Sequence, residues 1–191
     1  MKKSLGAKTL AVPTPVWIIG SYDKNDRPNA MAVAWGGVCC SKPPCITISL
    51  RKATYTFGCI MERRAYTVNI LSKKHLAEAD YFGIVSGRDR NKFEDTGMTP
   101  VRSQLVDAPF IQEALLILEC KVIHTYEIGL HTQFIGEILD VKADEGIVTD
   151  KDMPDILKIQ PIVYAPGSQV YVSIGEELST AYSHKKAFGP K

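Results

Sequence analysis

The sequence predicts one mainly β domain, a closed or partly closed β-barrel with a few short helices. First, a length of 191 residues fits a single domain, since domains usually hold about 100–200 residues. Second, 45% hydrophobic and 23% charged residues with a net charge of +2 allow a packed core, whereas disordered chains are less hydrophobic and more highly charged. Third, at least six short apolar runs alternate with turn residues, a pattern typical of antiparallel barrels.

The first strands are predicted from apolar runs separated by turn residues. Residues 16–22 form a strand that ends in a dense turn cluster at 23–29. Residues 30–40 are predicted to return as one buried strand, which Lys42-Pro43-Pro44 ends. Residues 45–50 are apolar and β-branched, so they are predicted to form a central strand.

The next elements alternate between helix and strand. Residues 54–64 are predicted to be helical, with Thr54 as a possible N-cap. A strand over 66–71 and a helix over 75–82 follow. A short helix over 88–95 is predicted to end at Gly97, because glycine readily adopts the left-handed conformation that closes a helix.

The last third of the chain contains the longest strand candidates. Residues 115–126 and 131–142 are predicted strands, and the second alternates apolar side chains on both of its faces. Residues 149–159 are predicted to form a helix. Two short strands, 163–164 and 170–174, are predicted around the Pro166-Gly167 turn.

Composition also disfavours two classes of partner. Because 23 basic residues nearly balance 21 acidic ones, a nucleic-acid partner is not expected. No apolar run approaches the roughly 20 residues that span a bilayer, so no membrane partner is expected. Lys8, Pro13 and Pro15 interrupt any apolar signal-peptide segment. The expected location is therefore the cytoplasm.

The five cysteines are predicted to be free thiols, because their number is odd and no export signal is evident. They are expected to act as small buried hydrophobic residues, with adjacent Cys39 and Cys40 pointing to opposite faces of a strand. The spacing from Cys40 to Cys45 begins like an iron–sulfur motif, but Ile48 stands where a third cysteine is required. No metal site is predicted. Rossmann, Walker A and Gly-x-Ser-x-Gly motifs are absent from the sequence.

One stretch has the composition of a phosphate site. Arg51 and Lys52 follow a predicted strand, and Thr54 and Thr56 open a predicted helix. The guanidinium of arginine, hydroxyl donors and the free N–H groups at the start of a helix all bind phosphate well. The alternative is a capped helix preceded by two solvated cations.

A second stretch, residues 86–93, offers similar groups. Ser86 and Gly87 precede the cations Arg88, Arg90 and Lys92 near a predicted helix start. Alone, this pattern is a weak signal, because a short helix rich in charge is usually just a solvated face. Two such stretches in one small domain favour the interpretation that both face one anion.

Taken in order, several motifs resemble the flavin reductase-like FMN-binding split-barrel family, and within it the flavoredoxin branch. The resemblance covers residues 8 to 178 and implies a single flavin reductase-like FMN-binding domain over 1–191, with a Greek-key type split barrel. The motifs are Asn29-Ala30-Met31, Ala34-Trp35, Lys42-Pro43-Pro44-Cys45, residues 49–56, Tyr81-Phe82-Gly83, Ser86-Gly87-Arg88-Asp89, Lys92-Phe93, Gly129-Leu130-His131-Thr132 and residues 134–137.

The resemblance implies a homodimer that holds one non-covalent FMN per subunit near its interface. It assigns the flavin phosphate to Arg51, Lys52, Thr54 and Thr56, with Ser86 and Lys92 as a second arm. It assigns the ring system to Asn29, Met31, Ala32, Ala34 and Trp35, and the ribityl chain to Ser49 and Leu50. It makes His131 a flavin neighbour and the candidate catalytic residue, and it places Tyr164 where relatives often have phenylalanine.

The predicted function is electron or hydride transfer through bound FMN, which makes the chain a flavin-dependent oxidoreductase. An electron carrier that serves a redox protein partner and an NAD(P)H-linked flavin reductase both remain open, with NADH or NADPH as the donor of the second. A barrel that has lost its flavin is the third alternative. Positive charge near flavin N1 stabilises the reduced flavin, and either Lys92 or His131 would supply it.

Overall fold

The computed structural model describes residues 1–183, so the last eight residues of the predicted 1–191 domain lie outside it. The described residues are mainly β with a few short helices, as predicted. The strands are β1 Thr14–Pro15, β2 Trp17–Tyr22, β3 Pro28–Val33, β4 Gly36–Ser41, β5 Pro44–Arg51, β6 Ala65–Ile70, β7 Pro100–Arg102, β8 Pro109–Ile111, β9 Leu116–Ile128, β10 His131–Ala143, β11 Ile162–Ala165 and β12 Val170–Ser173. The α-helices are α1 Tyr55–Arg63, α2 Leu76–Ile84, α3 Lys92–Thr96 and α4 Ile156–Ile159.

Seven antiparallel strands form the main sheet, in the order β3-β2-β6-β9-β10-β5-β4. Strands β3 and β4 lie at opposite edges of this sheet, yet only Ala34 and Trp35 separate them along the chain. A flat sheet would place these edges roughly 29 Å apart, whereas three Cα steps span at most about 11 Å. The sheet must therefore curl into a barrel, and the Ser49 N–H donates to the Trp35 carbonyl at 2.8 Å across the junction.

The barrel wall is apolar on both faces beside β2, and this explains the adjacent apolar residues Ile18 and Ile19. Ile18 and Ile19 are both fully buried, but they point into different clusters. Ile18 joins the cluster beneath helices α2 and α3, with Phe82 and Phe93. Ile19 joins the barrel core, with Phe134 and other large side chains. Helices α2 and α3 thus cover the outside of the barrel beside β3.

The predicted strand over 30–40 is wrong, because two strands occupy this stretch. The chain leaves β3 after Val33 and enters β4 at Gly36. Both halves have the composition of a strand, so the local pattern does not reveal the corner between them. The corner is a requirement of barrel closure.

Two helix predictions also need correction. In place of a helix over 149–159, only α4 forms, capped by Asp155, whose carboxylate accepts the Leu157 N–H at 2.8 Å. Pro154 pairs with Val148 in an isolated β-bridge, which keeps the preceding residues extended. In place of a helix over 88–95, α3 begins at Lys92 and ends before Gly97, whose φ of +70° closes it as predicted.

Strands β1, β7 and β8 were not predicted, because each has only two or three residues and contains proline. Buried polar groups on β6 hold β8 against the barrel. The Asn69 side chain accepts the Ile111 N–H at 2.8 Å, and the Thr67 hydroxyl donates to the Pro109 carbonyl at 2.6 Å. No periodicity in the sequence reports such contacts.

The predicted burial of the cysteines is confirmed for three of the five residues. All five are free thiols, and Cys45, Cys59 and Cys120 are buried. Cys39 and Cys40 are exposed instead, because they lie on β4, an edge strand of the sheet. A register shift lies between Val38 and Cys40, and the pointing of Cys39 and Cys40 to opposite faces stays a prediction.

Among the described residues, no helix is both long and apolar enough to cross a membrane.

Candidate functional site

A cleft of about 260 Å³ lies between the start of α1 and the segment that joins α2 to α3. The two stretches predicted to face one anion both line it. It contains five residues from the predicted binding set, namely Met31, Thr54, Thr56, Ser86 and Lys92. The other lining residues are Ala53, Tyr55, Gly83, Ile84, Val85, Gly87 and Arg88.

Lys92 gives the cleft a buried positive charge. Its residue is only 3% exposed, and its Nζ donates to the Phe82 carbonyl at 3.3 Å. The Nζ also lies 5.8 Å from the centre of the Phe82 ring. Burial lowers the pKa of Lys92 to about 8. An ammonium with one neutral oxygen partner is poorly compensated, so an anion in the cleft would complete its coordination.

Two residues with hydroxyl side chains, Thr56 and Ser86, line the same cleft. The Thr56 Oγ1 accepts from the Asn29 amide at 2.9 Å, and the Ser86 Oγ accepts the Arg88 N–H at 3.2 Å. Because both oxygens act as acceptors within the chain, their own hydrogens remain available to donate. Together with Lys92, these hydroxyls form a donor set that suits a phosphate.

Asn29 and Gly87 meet at the edge of the cleft. The Asn29 amide nitrogen also donates to the Ser21 hydroxyl at 3.2 Å, whereas its Oδ1 is buried without a partner. A Cβ on Gly87 would lie 2.2 Å from that oxygen and 2.8 Å from the Tyr55 ring. Only glycine therefore lets the main chain at residue 87 pass this close.

The start of α1 is held by a buried carboxylate. The Tyr55 hydroxyl donates to Asp23 at 2.8 Å, and the Arg27 side chain donates to the same oxygen at 2.7 Å. Burial alone would raise the pKa of Asp23, but hydrogen bonds from Arg27, Tyr55 and Asn25 lower it to about 2. Asp23 is therefore ionised at neutral pH and fixes Tyr55 at the cleft wall.

Thr54 departs from its predicted role, and Arg88 lines the cleft although it was not in the predicted binding set. Thr54 lies at the N-cap position but makes no side-chain cap. Its hydroxyl instead donates to the Arg51 carbonyl at 2.9 Å, and this hydrogen is not free for a phosphate. Arg88, absent from the predicted binding set, lines the cleft and stacks 5.8 Å from the Tyr55 ring centre. Its guanidinium donates to the Ala53 carbonyl at 3.0 Å.

Three other cations point elsewhere. Lys52 pairs with Glu127 at 2.6 Å, and Arg90 pairs with Asp95 at 2.6 Å. Arg51 is exposed and is not among the residues that line the cleft. The local basic charge predicted to converge on one phosphate is thus reduced, within the described chain, to Lys92 and Arg88.

A second cleft of about 210 Å³ adjoins the first and shares Gly83 and Ile84 with it. It contains Ala32, Ala34 and Tyr164 from the predicted ring-side set. Tyr171 completes the aromatic wall, since its ring centre lies 5.7 Å from that of Tyr164. Burial, and then a 2.7 Å hydrogen bond to Asp80, raise the pKa of Tyr171 to about 12. The two clefts together give a polar end and a more apolar end.

Seven predicted site residues lie outside both clefts of this single chain: Asn29, Arg51 and Lys52, described above, and Trp35, Ser49, Leu50 and His131. Trp35 is 37% exposed at the junction between β3 and β4. Ser49 lies beside it and bonds to its carbonyl. Leu50 packs in the barrel core, which leaves only its main chain for a ligand. His131 begins β10 and lies opposite Arg51 on β5.

Comparison with known proteins identifies the family. Residues 9–173 match the model of the flavin reductase like domain. The chain belongs to the flavin reductase-like family. Membership makes it a flavin-binding redox protein and a flavin-dependent oxidoreductase, as predicted.

Three similar proteins illustrate the family. The flavoredoxin of Desulfovibrio vulgaris (Miyazaki F) is 52% identical, with 96% of this chain and 98% of that chain covered and a TM-score of 0.92. A Shewanella frigidimarina protein with a split barrel domain is 23% identical, covers 96% of this chain and 100% of its own, and has a TM-score of 0.83. The NADPH-flavin oxidoreductase of Streptomyces viridifaciens is 26% identical over 75% of this chain and 74% of its own.

These likenesses support the predicted split-barrel fold. The similarity to the flavoredoxin also supports the resemblance to that branch of the flavin reductase-like family.

Proposed function

We propose that the flavin is FMN, bound non-covalently with its phosphate in the first cleft and its ring toward the second. The buried Lys92 carries this proposal, because its ammonium has one neutral oxygen partner and lines the first cleft. A phosphate dianion would satisfy it. FMN has such a terminal phosphate, and 260 Å³ is of the size expected for one end of a small-molecule site.

The chain's own groups would share the work of binding. Lys92 would provide a charge-assisted hydrogen bond, and the Thr56 and Ser86 hydroxyls would donate to the phosphate oxygens. The N–H groups of the first turn of α1 are not capped by the Thr54 side chain and add a positive dipole end. Arg88, whose guanidinium lies over the Tyr55 ring, would cover the side of the phosphate that faces solvent.

Toward the second cleft the walls become less polar. Ala32, Ala34 and Tyr164 would pack against the flavin ring and exclude water from it. FMN bound there would supply the hydride and electron chemistry, while the chain orients it and controls access to it. Trp35, Ser49, the Leu50 main chain and His131 are proposed contacts at the open side of the site, with His131 as the candidate catalytic residue.

Two forms of this redox function are proposed. The 52% identity to a flavoredoxin favours an electron carrier that serves a redox protein partner. The similarity to an NADPH-flavin oxidoreductase favours direct reduction by NADH or NADPH. Both forms use the same clefts, so the source of electrons distinguishes them.

The cofactor itself is tested on purified protein. The chain is expected to bind FMN one to one, to turn yellow, and to release unmodified FMN in acid. Riboflavin, which has the same ring without the phosphate, is the matched control and is expected to bind at least 10-fold more weakly, since a charge-assisted hydrogen bond contributes about 1.5–3 kcal/mol. Equal affinity for the two ligands would contradict the phosphate assignment.

The donor is tested on the same FMN-loaded protein under anaerobic conditions. Direct reduction predicts that NADH or NADPH bleaches the flavin absorbance on the timescale that a stopped-flow experiment records. The carrier predicts slow or no bleaching by either nucleotide, with full bleaching by dithionite as the control. Rapid bleaching by a nucleotide would assign the chain to the reductases.

We also propose a homodimer. Support comes from the β9–β10 hairpin, which leaves Tyr126, Ile128 and Leu130 exposed beside His131 and Arg51. Sedimentation is expected to show a dimer, which Leu130→Glu would shift toward monomer with loss of FMN. Met153→Glu, also an exposed apolar position, is the control. A monomeric wild-type protein that binds FMN fully would contradict this proposal.

The proposed compartment is the cytoplasm. Five free thiols, two of them exposed, are compatible with its reducing conditions.

A further inference from the structure

The β4–β5 hairpin brings two thiols opposite each other. Cys40 on β4 and Cys45 on β5 are direct cross-strand partners, separated by a tight connection through Lys42 and Pro43. Directly opposed residues of antiparallel strands have Cα atoms about 4.5 or 5.5 Å apart, depending on the pair type. Both values lie within the roughly 4.4–6.8 Å range of disulfides. The strand register therefore gives this pair a Cα separation that is compatible with a disulfide.

The two thiols differ in access. Cys40 is exposed on an edge strand, whereas Cys45 is 2% exposed. Burial raises the pKa of Cys45, and the adjacent thiols of Cys40 and Cys39 raise it further. Cys40 is thus the sulfur that a molecule in solution can reach, and Cys45 is the sulfur placed to resolve an adduct on it.

We propose that Cys40 and Cys45 form a reversible dithiol–disulfide pair that exchanges with low-molecular-weight disulfides. The Cys40 thiolate attacks the small disulfide, forms a mixed disulfide and expels one thiolate. The Cys45 sulfur then loses its proton, attacks the Cys40 sulfur and expels the second thiolate. The chain loses two electrons and two protons, and the small disulfide becomes two thiols, so the reaction balances. This site is independent of the flavin clefts and of the proposed function.

The experiment uses the FMN-loaded Cys39→Ser protein, treated with oxidised glutathione and then with iodoacetamide in denaturant. Trypsin does not cut before proline, so one peptide, residues 25–51, carries both Cys40 and Cys45 as its only cysteines. The expected result is loss of both alkylation sites and of two hydrogen atoms from this peptide. Reduction by dithiothreitol should restore both sites.

Two variants decide between alternatives. Both are made in the Cys39→Ser protein. With Cys45→Ser added, the reaction is expected to stop at the glutathione adduct on Cys40. With Cys40→Ser added, most of the reaction is expected to be lost, because the remaining sulfur, that of Cys45, is buried. A stable glutathione adduct on Cys40 in the Cys39→Ser protein, with Cys45 still alkylated, would overturn the proposal. So would a disulfide that forms equally well in a Cys45→Ser protein that retains Cys39, since this would identify the adjacent Cys39–Cys40 pair instead.

Discussion

Lys92→Met is expected to weaken FMN binding by about 10- to 150-fold, the equivalent of one charge-assisted hydrogen bond of about 1.5–3 kcal/mol. Methionine fills a similar volume without the charge. Because the lysine is buried beside a single carbonyl, its replacement removes a desolvation cost from the flavin-free protein. The flavin-free variant should therefore be at least as stable as the wild type. Fluorescence titration with FMN and urea unfolding measure the two effects.

The pH dependence of FMN affinity in the wild type and in Lys92→Met separates the effect of the lysine's charge from the effect of its shape. In the flavin-free protein, burial holds the pKa of Lys92 at about 8. A phosphate dianion beside the ammonium raises that pKa, so binding takes up a proton when the pH lies between the free and bound values. Wild-type FMN affinity should therefore fall as the pH rises above about 8, and Lys92→Met should lose this component.

Lys74→Met is the matched control, because Lys74 is exposed and does not line the cleft. It should leave FMN affinity and its pH profile unchanged. An unaltered affinity in Lys92→Met would contradict the phosphate assignment. Weak binding in both variants would point to net charge as the cause.

Gly87→Ala is the second substitution with a large expected effect. The added Cβ would lie 2.2 Å from the Asn29 Oδ1 and 2.8 Å from the Tyr55 ring, so the buried Asn29 side chain and the half-buried Tyr55 ring must move. Displacement of Asn29 removes the partner that orients the Thr56 hydroxyl. We expect FMN affinity to fall at least 10-fold and the free energy of unfolding to fall by about 1–3 kcal/mol.

The control for this substitution is Gly37→Ala. A Cβ on Gly37 meets no atom within 4 Å, so stability and affinity should change little. Titration calorimetry with FMN and urea unfolding of both variants supply the measurements. If Gly87→Ala binds FMN as tightly as the wild type, the close approach at residue 87 does not serve the site.

The sequence predicted the cleft residues correctly where their own type and close neighbours along the chain decide their place. Thr56, Ser86 and Lys92 belong to the two stretches predicted to face one anion, and all three line one cleft. Lys52 and Arg90 have the same local appearance, but their charges are taken up by Glu127 and Asp95. Glu127 lies 75 positions from Lys52 along the chain, so no local pattern could reveal that pairing.

The same difference applies to the fold: elements set by their own residues were predicted, and features set by distant contacts were not. Helix α1 and strand β6 follow from their own residues. The corner at Ala34 and Trp35 instead follows from barrel closure, which depends on the order of seven strands. Arg88 was omitted from the binding set for a similar reason. Its place in the cleft depends on stacking over Tyr55 and on the Ala53 carbonyl, both more than thirty positions away.

The buried ammonium of Lys92 also bears on how long the protein survives. A folded state that carries an incompletely compensated charge is less stable than it could be, and a ligand that binds only this state shifts the folding equilibrium in its favour. At a hundredfold excess of free flavin over its dissociation constant, the gain is about 2.7 kcal/mol. Molecules without cofactor would unfold more often and be degraded first, so flavin supply would govern the abundance of the protein.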